Sequence, residues 1–178
     1  GKVNIFEVDE HVRAETSVDS LATLKPVFQR ENGTVTAGNA SGINDGAAAM
    51  VLASGEAVKK HNLKPLARLV AYGHAGVDPA YMGIGPVPAS RIAMSKAGIS
   101  VSDLDVIEAN EAFAAQVLAN AAELEQRGTP LDWDRVNVNG GAVALGHPIG
   151  SSGARLLVTL IHALRQRDLR RGVAALCL

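Results

Sequence analysis

The chain has a single cysteine, Cys177, among its 178 residues. One thiol cannot form an internal disulfide, so a reducing compartment is expected rather than secretion. Excess basic charge is also lacking, because 17 Lys and Arg stand against 18 Asp and Glu, which leaves no basic field for nucleic acid. No uncharged run is long enough for a membrane span, since the longest apolar stretch, residues 154–164, contains Arg155, Thr159 and His162.

Several classes of site lack a required residue. The five histidines have no metal-binding spacing with one another or with the cysteine, so no metal is expected. A dinucleotide fingerprint begins at residues 83–85, but Pro88 stands at its last glycine position. The nucleophile elbow of a serine hydrolase would need glycine where Ala154 stands.

The residues that are present predict a soluble α/β protein. Hydrophobic residues make up 47% of the chain, enough to bury a core. From residue 65 onward, strand and helix patterns alternate, which predicts a mainly parallel sheet. The predicted strands are residues 66–72, 105–109 and 173–178. The predicted helices are residues 88–96, a segment from Phe113 to Leu124 ended by Gly128, and residues 151–165.

Two parts of the pattern are distinctive. Helix 151–165 is apolar around nearly its whole circumference, which predicts burial between two layers. The first third of the chain has no clean period: a short helix is expected within residues 17–28, a loop at 33–46, and either helix or strand at 47–53.

The segment Leu145-Gly146-His147-Pro148-Ile149-Gly150 indicates chemistry. Pro fixes φ and the flanking glycines permit tight turns, so the segment holds one imidazole at the start of the following helix. The helix dipole disfavours the imidazolium there, and a neutral His147 can donate to an oxyanion. A histidine used only for packing has no need of such a turn.

Two further side chains are candidates to meet that histidine. Asn110 follows a predicted strand, where it is either catalytic or the N-cap of the next helix. Cys177 lies in an apolar strand, where it is either reactive or a small buried hydrophobe. Ligand sites in parallel sheets gather at the carboxyl ends of strands, so the three side chains should converge there and border one cavity.

Four strings resemble the thiolase family, in its order: DEHVR at residues 9–13, GTVTAGNASG at 33–42, NEAFA at 110–114 and GHPIG at 146–150. The resemblance covers essentially the whole chain and is to the second half of the acetyl-CoA acetyltransferase branch. It implies a layered αβαβα fold of two similar halves with a loop domain inserted in the first. Residues 1–40 then correspond to the end of the loop domain, 41–56 to the end of the N-terminal half, and 57–178 to the C-terminal half.

The resemblance also implies three catalytic roles. Cys177 matches the cysteine that takes a proton from the α-carbon of acetyl-CoA in condensation and returns it in thiolysis. His147 matches the histidine that activates the nucleophilic cysteine and helps to form an oxyanion hole, and Asn110 matches the asparagine that holds a water in the other. These roles suit the chemistry, because an α-proton is too weakly acidic to remove unless the thioester oxygen is stabilised.

Other positions match the substrate groove of the family. The coenzyme A thioester is the implied substrate, and no tightly bound cofactor is expected. The positions matching the coenzyme A groove are Arg13, Ser20, Phe28, Ala37 and Ser41. Those matching its acyl end are Met82, Ala112 and Phe113. For Phe28 and Phe113, packing in a hydrophobic core is the alternative.

The sequence departs from the family at several places. The nucleophilic cysteine lies in the half that the 178 residues do not include, and the Gly-rich segment after the second cysteine is missing. Residues 124–136 are longer than that branch is expected to have. The chain begins with Gly1 and ends within an apolar run, residues 173–178, so we interpret it as part of a longer polypeptide.

The expected function is therefore reversible Claisen condensation and thiolysis of acyl-CoA thioesters, in fatty acid metabolism, by the complete protein. The chain alone is expected to be inactive. Its expected partners are the N-terminal thiolase half and further copies, in a homodimer or tetramer. Its expected location is the cytoplasm, with organellar targeting left open. The alternative is a non-catalytic, thiolase-like partner or scaffold module.

Overall fold

The computed structural model describes residues 3–177. Gly1, Lys2 and Leu178 lie outside them, so the structure does not test Leu178 as the end of the last predicted strand. The α-helices are α1 (Val18–Ala22), α2 (Gly55–Lys60), α3 (Pro86–Ala97), α4 (Ala114–Gln126), α5 (Ala142–Leu145) and α6 (Ile149–Gln166). The strands are β1 (Val106–Ala109) and β2 (Gly172–Ala175), and short 3₁₀ segments cover Pro79–Ile84, Val101–Asp103 and Trp133–Arg135.

The two strands form a parallel sheet, as the sequence predicts. Val106 pairs with Gly172 and Ala109 with Ala175, and Val136 makes a further parallel bridge to Ile107 on the other side of β1. Parallel neighbours need a crossover connection, which here includes α6. The carboxyl ends of both strands consequently lie at one edge of the sheet.

Helices cover both faces of this sheet. Successive strand residues point to opposite faces, so neighbouring residues of β1 enter different clusters. Ile107 packs with Met94 of α3, Leu104 and Val136, whereas Val106 packs against α6. The α6 side of the core consists of Val106, Leu160 and Ala163. The resulting order of layers is α3, sheet, α6.

The helices carry the local signals that predict them. Gly98 ends α3 in the left-handed region, at φ 67°, where glycine has no steric penalty. Helix α4 ends two residues before Gly128, and α1 lies within the predicted interval 17–28. Helix α3 begins at Pro86, two residues earlier than predicted, and follows directly on the 3₁₀ segment Pro79–Ile84.

The strand predicted at residues 66–72 is wrong. No strand forms there, and Leu66, Leu69 and Val70 are all more than half exposed. An isolated strand leaves its backbone groups unpaired, so β-propensity without a neighbouring strand in the described residues does not produce one. Residues 47–53, left open between helix and strand, have no regular secondary structure and are mostly exposed.

Of the two layers predicted to enclose α6, the described residues provide one. Its fully buried residues are Ser152, Leu156, Leu160 and Ala163, which recur every three to four positions and form one stripe. That stripe contacts the sheet. The remaining apolar residues of α6 are half-buried, and Ile149 at its start is exposed, because residues 3–177 place a layer on one side of the helix.

The segment of described residues before α2 has no hydrophobic core of its own and packs against the other elements. A bridge pairs Ala40 with Phe113, and the amide of Ala114 donates to the carbonyl of Asn39 at 2.8 Å. The predicted loop 33–46 is therefore irregular but anchored at the start of α4. Across residues 3–177, every helix falls short of the length and apolarity that a membrane crossing requires.

Candidate active site

The sheet edge brings the ends of β1 and β2 together. Asn110 directly follows β1, and its amide donates to the carbonyl of Ala175 at 2.9 Å, which extends the ladder by one bond. Cys177 lies two residues beyond β2. The parallel register thus places both residues at the same edge, as expected from the sequence.

His147 lies at the same edge of the sheet, on the short connection between α5 and α6. Gly146 adopts φ 91°, and the amide of His147 donates to the carbonyl of Gly42 at 2.9 Å. The ring then lies between two side chains: Nδ1 is 2.6 Å from Oγ of Ser152, and Nε2 is 3.3 Å from Nδ2 of Asn110. Two of the three catalytic candidates are therefore in contact.

This hydrogen-bond chain assigns the proton of the imidazole. Nδ2 of Asn110 can only donate, so Nε2 of a neutral ring accepts from it and the hydrogen on Nδ1 is donated to Oγ of Ser152. Nε2 then carries the lone pair and accepts from the amide of Asn110. Burial, followed by the positive charge of Arg155, lowers the pKa of His147 below its usual value. The ring is a neutral base whose Nε2 points to Asn110.

Asn110 is almost completely buried, at 2% exposure. Its Oδ1 has no hydrogen-bond partner among the described residues. The alternative role of N-cap is wrong, because Phe113 occupies that position of α4. The carboxamide is directed to the histidine instead of to a helix end.

Cys177 is half-buried. Burial raises the pKa of its thiol above the usual value, so the group is a neutral thiol at pH 7. The preceding residue, Leu176, lies close to Gly153 in the first turns of α6. The end of β2 consequently runs past the start of the helix that His147 precedes.

Four of the substrate-groove candidates lie together at the start of α4. The rings of Phe28 and Phe113 form an edge-to-face pair with centroids 5.9 Å apart. Both the amide and the hydroxyl of Ser41 donate to the carbonyl of Ala112, at 3.1 and 2.9 Å. Phe28 is 73% exposed, so core packing is excluded as its role.

The other groove candidates are more dispersed. Arg13 and Ala37 are exposed, and the guanidinium of Arg13 donates to the carbonyl of Glu10 at 2.9 Å. The hydroxyl of Ser20 takes part in the capping box of α1. Met82, 46% exposed, belongs to the 3₁₀ turn whose Gly83 carbonyl accepts from Gln116 of α4 at 3.2 Å.

An open groove of about 430 Å³ lies between the loop that precedes α2 and the start of α6. It is bounded by residues 44–48 on one side and by residues 148–151 and Ala154 on the other. Neither His147 nor Cys177 lines it. The single cavity expected to be shared by those two residues is thus not this groove.

Sequence reasoning missed the polar residues that support the candidates. Ser152 is fully buried beneath the imidazole, and Glu108 is fully buried within β1. Oε2 of Glu108 lies 3.9 Å from the guanidinium of Arg155. Burial raises the pKa of Glu108 to about 7, although the positive charge of Arg155 opposes the shift. A signal was present: a charged residue within an apolar strand needs a partner.

Comparison with known proteins identifies close similarities over the whole chain. Residues 63–178 match the family described as thiolase, C-terminal domain, and residues 1–56 match thiolase, N-terminal domain. The acetyl-CoA acetyltransferase of Pseudomonas aeruginosa is 58% identical over 175 residues, and the β-ketothiolase BktB of Cupriavidus necator is 54% identical over 173. Each alignment covers 97% of this chain, but only 42% and 43% of the respective relative.

Solved structures agree with the sequence matches. The acetyl-CoA acetyltransferase of Bacillus anthracis superposes with a TM-score of 0.90 at 53% identity, over 99% of this chain and 44% of that one. Human mitochondrial 3-ketoacyl-CoA thiolase in complex with CoA superposes with a TM-score of 0.84 at 48% identity, over 97% of this chain and 42% of that one. The chain therefore spans less than half the length of the relatives it matches.

Proposed function

The chain belongs to the thiolase family and has its fold, and on that premise we propose that it supplies the proton-transfer half of an acetyl-CoA acetyltransferase active site. The observation that carries the proposal is the contact between Asn110 and His147 at the sheet edge that Cys177 also occupies. The parallel sheet brings Asn110 to this edge but does not by itself require the two side chains to touch. Their contact is consistent with both side chains acting on the same group of the substrate.

Cys177 is the acid and base at the α-carbon. Condensation requires removal of a proton from the methyl group of one acetyl thioester, and thiolysis returns it. The raised pKa of the Cys177 thiol makes its conjugate base stronger. The difference in pKa between the thiol and the weakly acidic α-carbon is therefore smaller. The thiol is protonated at pH 7, which suits it to the return step.

His147 accepts the proton of an attacking thiol through Nε2. Its lowered pKa keeps that nitrogen unprotonated at neutral pH. After it has accepted the proton, the imidazolium is a donor to a thioester oxygen that gains negative charge. The 3.3 Å contact with Asn110 supports action by both residues at the same oxygen, rather than at the two separate oxyanion holes that the family resemblance led us to expect.

Acyl transfer also needs a nucleophile that becomes acylated. Cys177 is the single cysteine of the 178 residues, and it is assigned to proton transfer. The nucleophilic cysteine must therefore come from the N-terminal thiolase half, which we propose as the essential partner. Residues 1–40, 41–56 and 57–178 then have the roles of loop-domain end, N-terminal-half end and C-terminal half.

The substrate is a coenzyme A thioester. We assign the coenzyme A groove to the surface around Phe28, Ser41 and Phe113, which cluster at the start of α4. The human relative is a 3-ketoacyl-CoA thiolase solved in complex with CoA, which supports this ligand class. Acetyl-CoA as the acyl donor, a place in fatty acid metabolism, homo-oligomeric assembly, and a cytoplasmic or organellar location are parts of the same proposal.

The second candidate function is a non-catalytic thiolase-like module. The absence of a second cysteine from the 178 residues favours it. The Asn110, His147 and Ser152 hydrogen bonds favour the enzyme, because a scaffold has no use for a half-buried neutral imidazole held between two side chains.

A transplant separates the two functions. The residues of this chain replace the matching stretch of the P. aeruginosa acetyl-CoA acetyltransferase, and thiolysis of acetoacetyl-CoA is measured. The enzyme hypothesis predicts turnover within about 10-fold of the host enzyme, a loss of no more than about 1.4 kcal/mol in transition-state stabilisation. A folded but inactive transplant would support the module and reject the catalytic assignment.

A further inference from the structure

A second set of polar contacts lies behind the candidate catalytic residues, and it is built around Asn137. This residue has a left-handed backbone, at φ 47°. Its Oδ1 accepts from the amide of Ala109 at 2.8 Å, and its Nδ2 donates to the carbonyl of Ala109 at 2.9 Å. The side chain therefore binds both polar groups of the last residue of β1, which immediately precedes Asn110.

The same Nδ2 also reaches the residue that follows Asn110. It donates to Oε1 of Glu111 at 2.7 Å. Asn110 is thus flanked on both sides by residues that Asn137 holds. Since a short peptide fixed at both ends has few conformations, these bonds set the direction of the Asn110 side chain.

The second oxygen of Glu111 connects this junction to the histidine. Oε2 accepts from the amide of Val143 at 3.1 Å, at the start of α5, the helix that leads to Gly146 and His147. The space is closely fitted, since a Cβ added to Gly141 would collide with the Glu111 carboxylate. One carboxylate therefore ties the strand end of Asn110 to the turn of His147.

We propose that Glu111 and Asn137 are positioning residues, which fix the separation of Asn110 and His147 for catalysis. This inference rests on the proposed function. It differs from a role in stability alone, because the bonds join the two backbone segments that carry the candidate catalytic groups. Misplacement by about 1 Å can cost on the order of 100-fold in rate.

The two residues permit a reciprocal exchange of donor and acceptor. Asn137→Asp places a second carboxylate against Glu111 and removes the donor to Ala109. Glu111→Gln leaves one acceptor oxygen for two donors. In the double variant, the amide of the introduced glutamine can donate to the introduced aspartate while its oxygen accepts from Val143, so the link is restored with its direction reversed.

The variants are made in the transplanted P. aeruginosa enzyme. Asn137→Asp is expected to lower kcat by roughly 100-fold and Glu111→Gln by roughly 10-fold, with KM for acetoacetyl-CoA changed by less than about 3-fold. The double variant should recover at least about 10-fold over Asn137→Asp. Arg135→Met is the control, because Arg135 donates to the carbonyl of Leu104 at 2.9 Å without contact to the site. It should lower the melting temperature but leave kcat intact.

Crystal structures of the same variants give a readout that needs no turnover. The distance between Nδ2 of Asn110 and Nε2 of His147 should lengthen in Asn137→Asp and return in the double variant. An unchanged kcat and distance, or losses that follow melting temperature alone without rescue, would overturn the positioning role. Inactivity of the unmutated transplant would instead reject the proposed function, and the distances would still decide the inference.

Discussion

His147 uses both ring nitrogens, and each has a different partner. Nδ1–H donates to Ser152 and Nε2 accepts from Asn110, so the donor-only amide nitrogen of Asn110 selects the tautomer. The histidine could be recognised from the Gly-His-Pro turn. Its serine partner five residues later could not, because a serine in the first turn of a helix is common for reasons of capping.

The acidic limb of activity tests the charge around His147. Its pKa is lowered by burial first and by Arg155 second, so the midpoint of its protonation lies below the usual histidine value of about 6.5. The limb of kcat/KM should therefore lie below that pH in the transplanted enzyme. Arg155→Met removes a positive charge and should move the limb upward, whereas Arg165→Met, at the exposed end of α6, should not. A limb that stays in place in Arg155→Met would contradict this electrostatic account.

Cys177 should act in only one of the two half-reactions. In the transplanted enzyme, Cys177→Ala is expected to lower condensation by roughly 100- to 10,000-fold, the range for loss of a general acid or base. Transfer of acetyl from acetyl-CoA to the host cysteine should persist as a burst of free coenzyme A. Cys177→Ser introduces a side chain of similar size that is a weaker acid. In this variant too, the host cysteine should still become acetylated. Loss of the burst in Cys177→Ala would assign the residue to the first step instead.

At the scale of elements, a prediction from local sequence is reliable only where the element does not depend on contacts with distant residues. Helix α3 could be predicted, because its prolines and Gly98 determine its ends without distant contacts. The strand at residues 66–72 was wrong, because pairing with a neighbour, and not local propensity, decides whether a strand forms. The parallel pair β1 and β2 was predicted correctly, since α6 between them provides the crossover.

Strand β1 carries a prediction about stability and pH. Burial raises the pKa of Glu108 to about 7, from 4.5 in the unfolded chain, so the native state binds the extra proton between these values. The stability that this proton provides is complete below about pH 4.5 and is lost as the pH rises through 7. Between pH 5 and pH 8, the unmutated chain should lose roughly 1 to 3 kcal/mol more of its free energy of unfolding than Glu108→Gln, which is neutral throughout. Urea unfolding at both pH values measures it.

The control for this prediction is an exposed acid. Glu125→Gln, on the exposed side of α4, should leave the pH dependence of unfolding unchanged. If Glu108→Gln shows the same slope as the unmutated chain, Glu108 is ionised across the range and Arg155 dominates over burial. The result would reverse the assigned cause of the shift.

At the scale of the molecule, the described residues have a sheet with one helix on each face and a long segment that binds at its edge. Residues 39–42 contact Ala112, Ala114 and His147 through backbone hydrogen bonds. The segment thus supports, from outside the sheet, the edge at which the candidate residues lie. Its contacts could not be predicted from periodicity, because they depend on loop backbone groups.

The whole chain gives the final prediction, which concerns chemistry that needs two cysteines. Acyl transfer through an enzyme thioester needs a nucleophile, and condensation needs a separate base at the α-carbon. Cys177 is the only cysteine of the sequence, and its raised pKa suits it to the second task. The purified 178-residue chain should therefore neither cleave nor form acetoacetyl-CoA, and its mass should not increase with acetyl-CoA. The transplanted enzyme, which retains the host cysteine, should do both. Turnover by the chain alone, or acetylation of Cys177, would show that one thiol performs both steps and would overturn the division of labour.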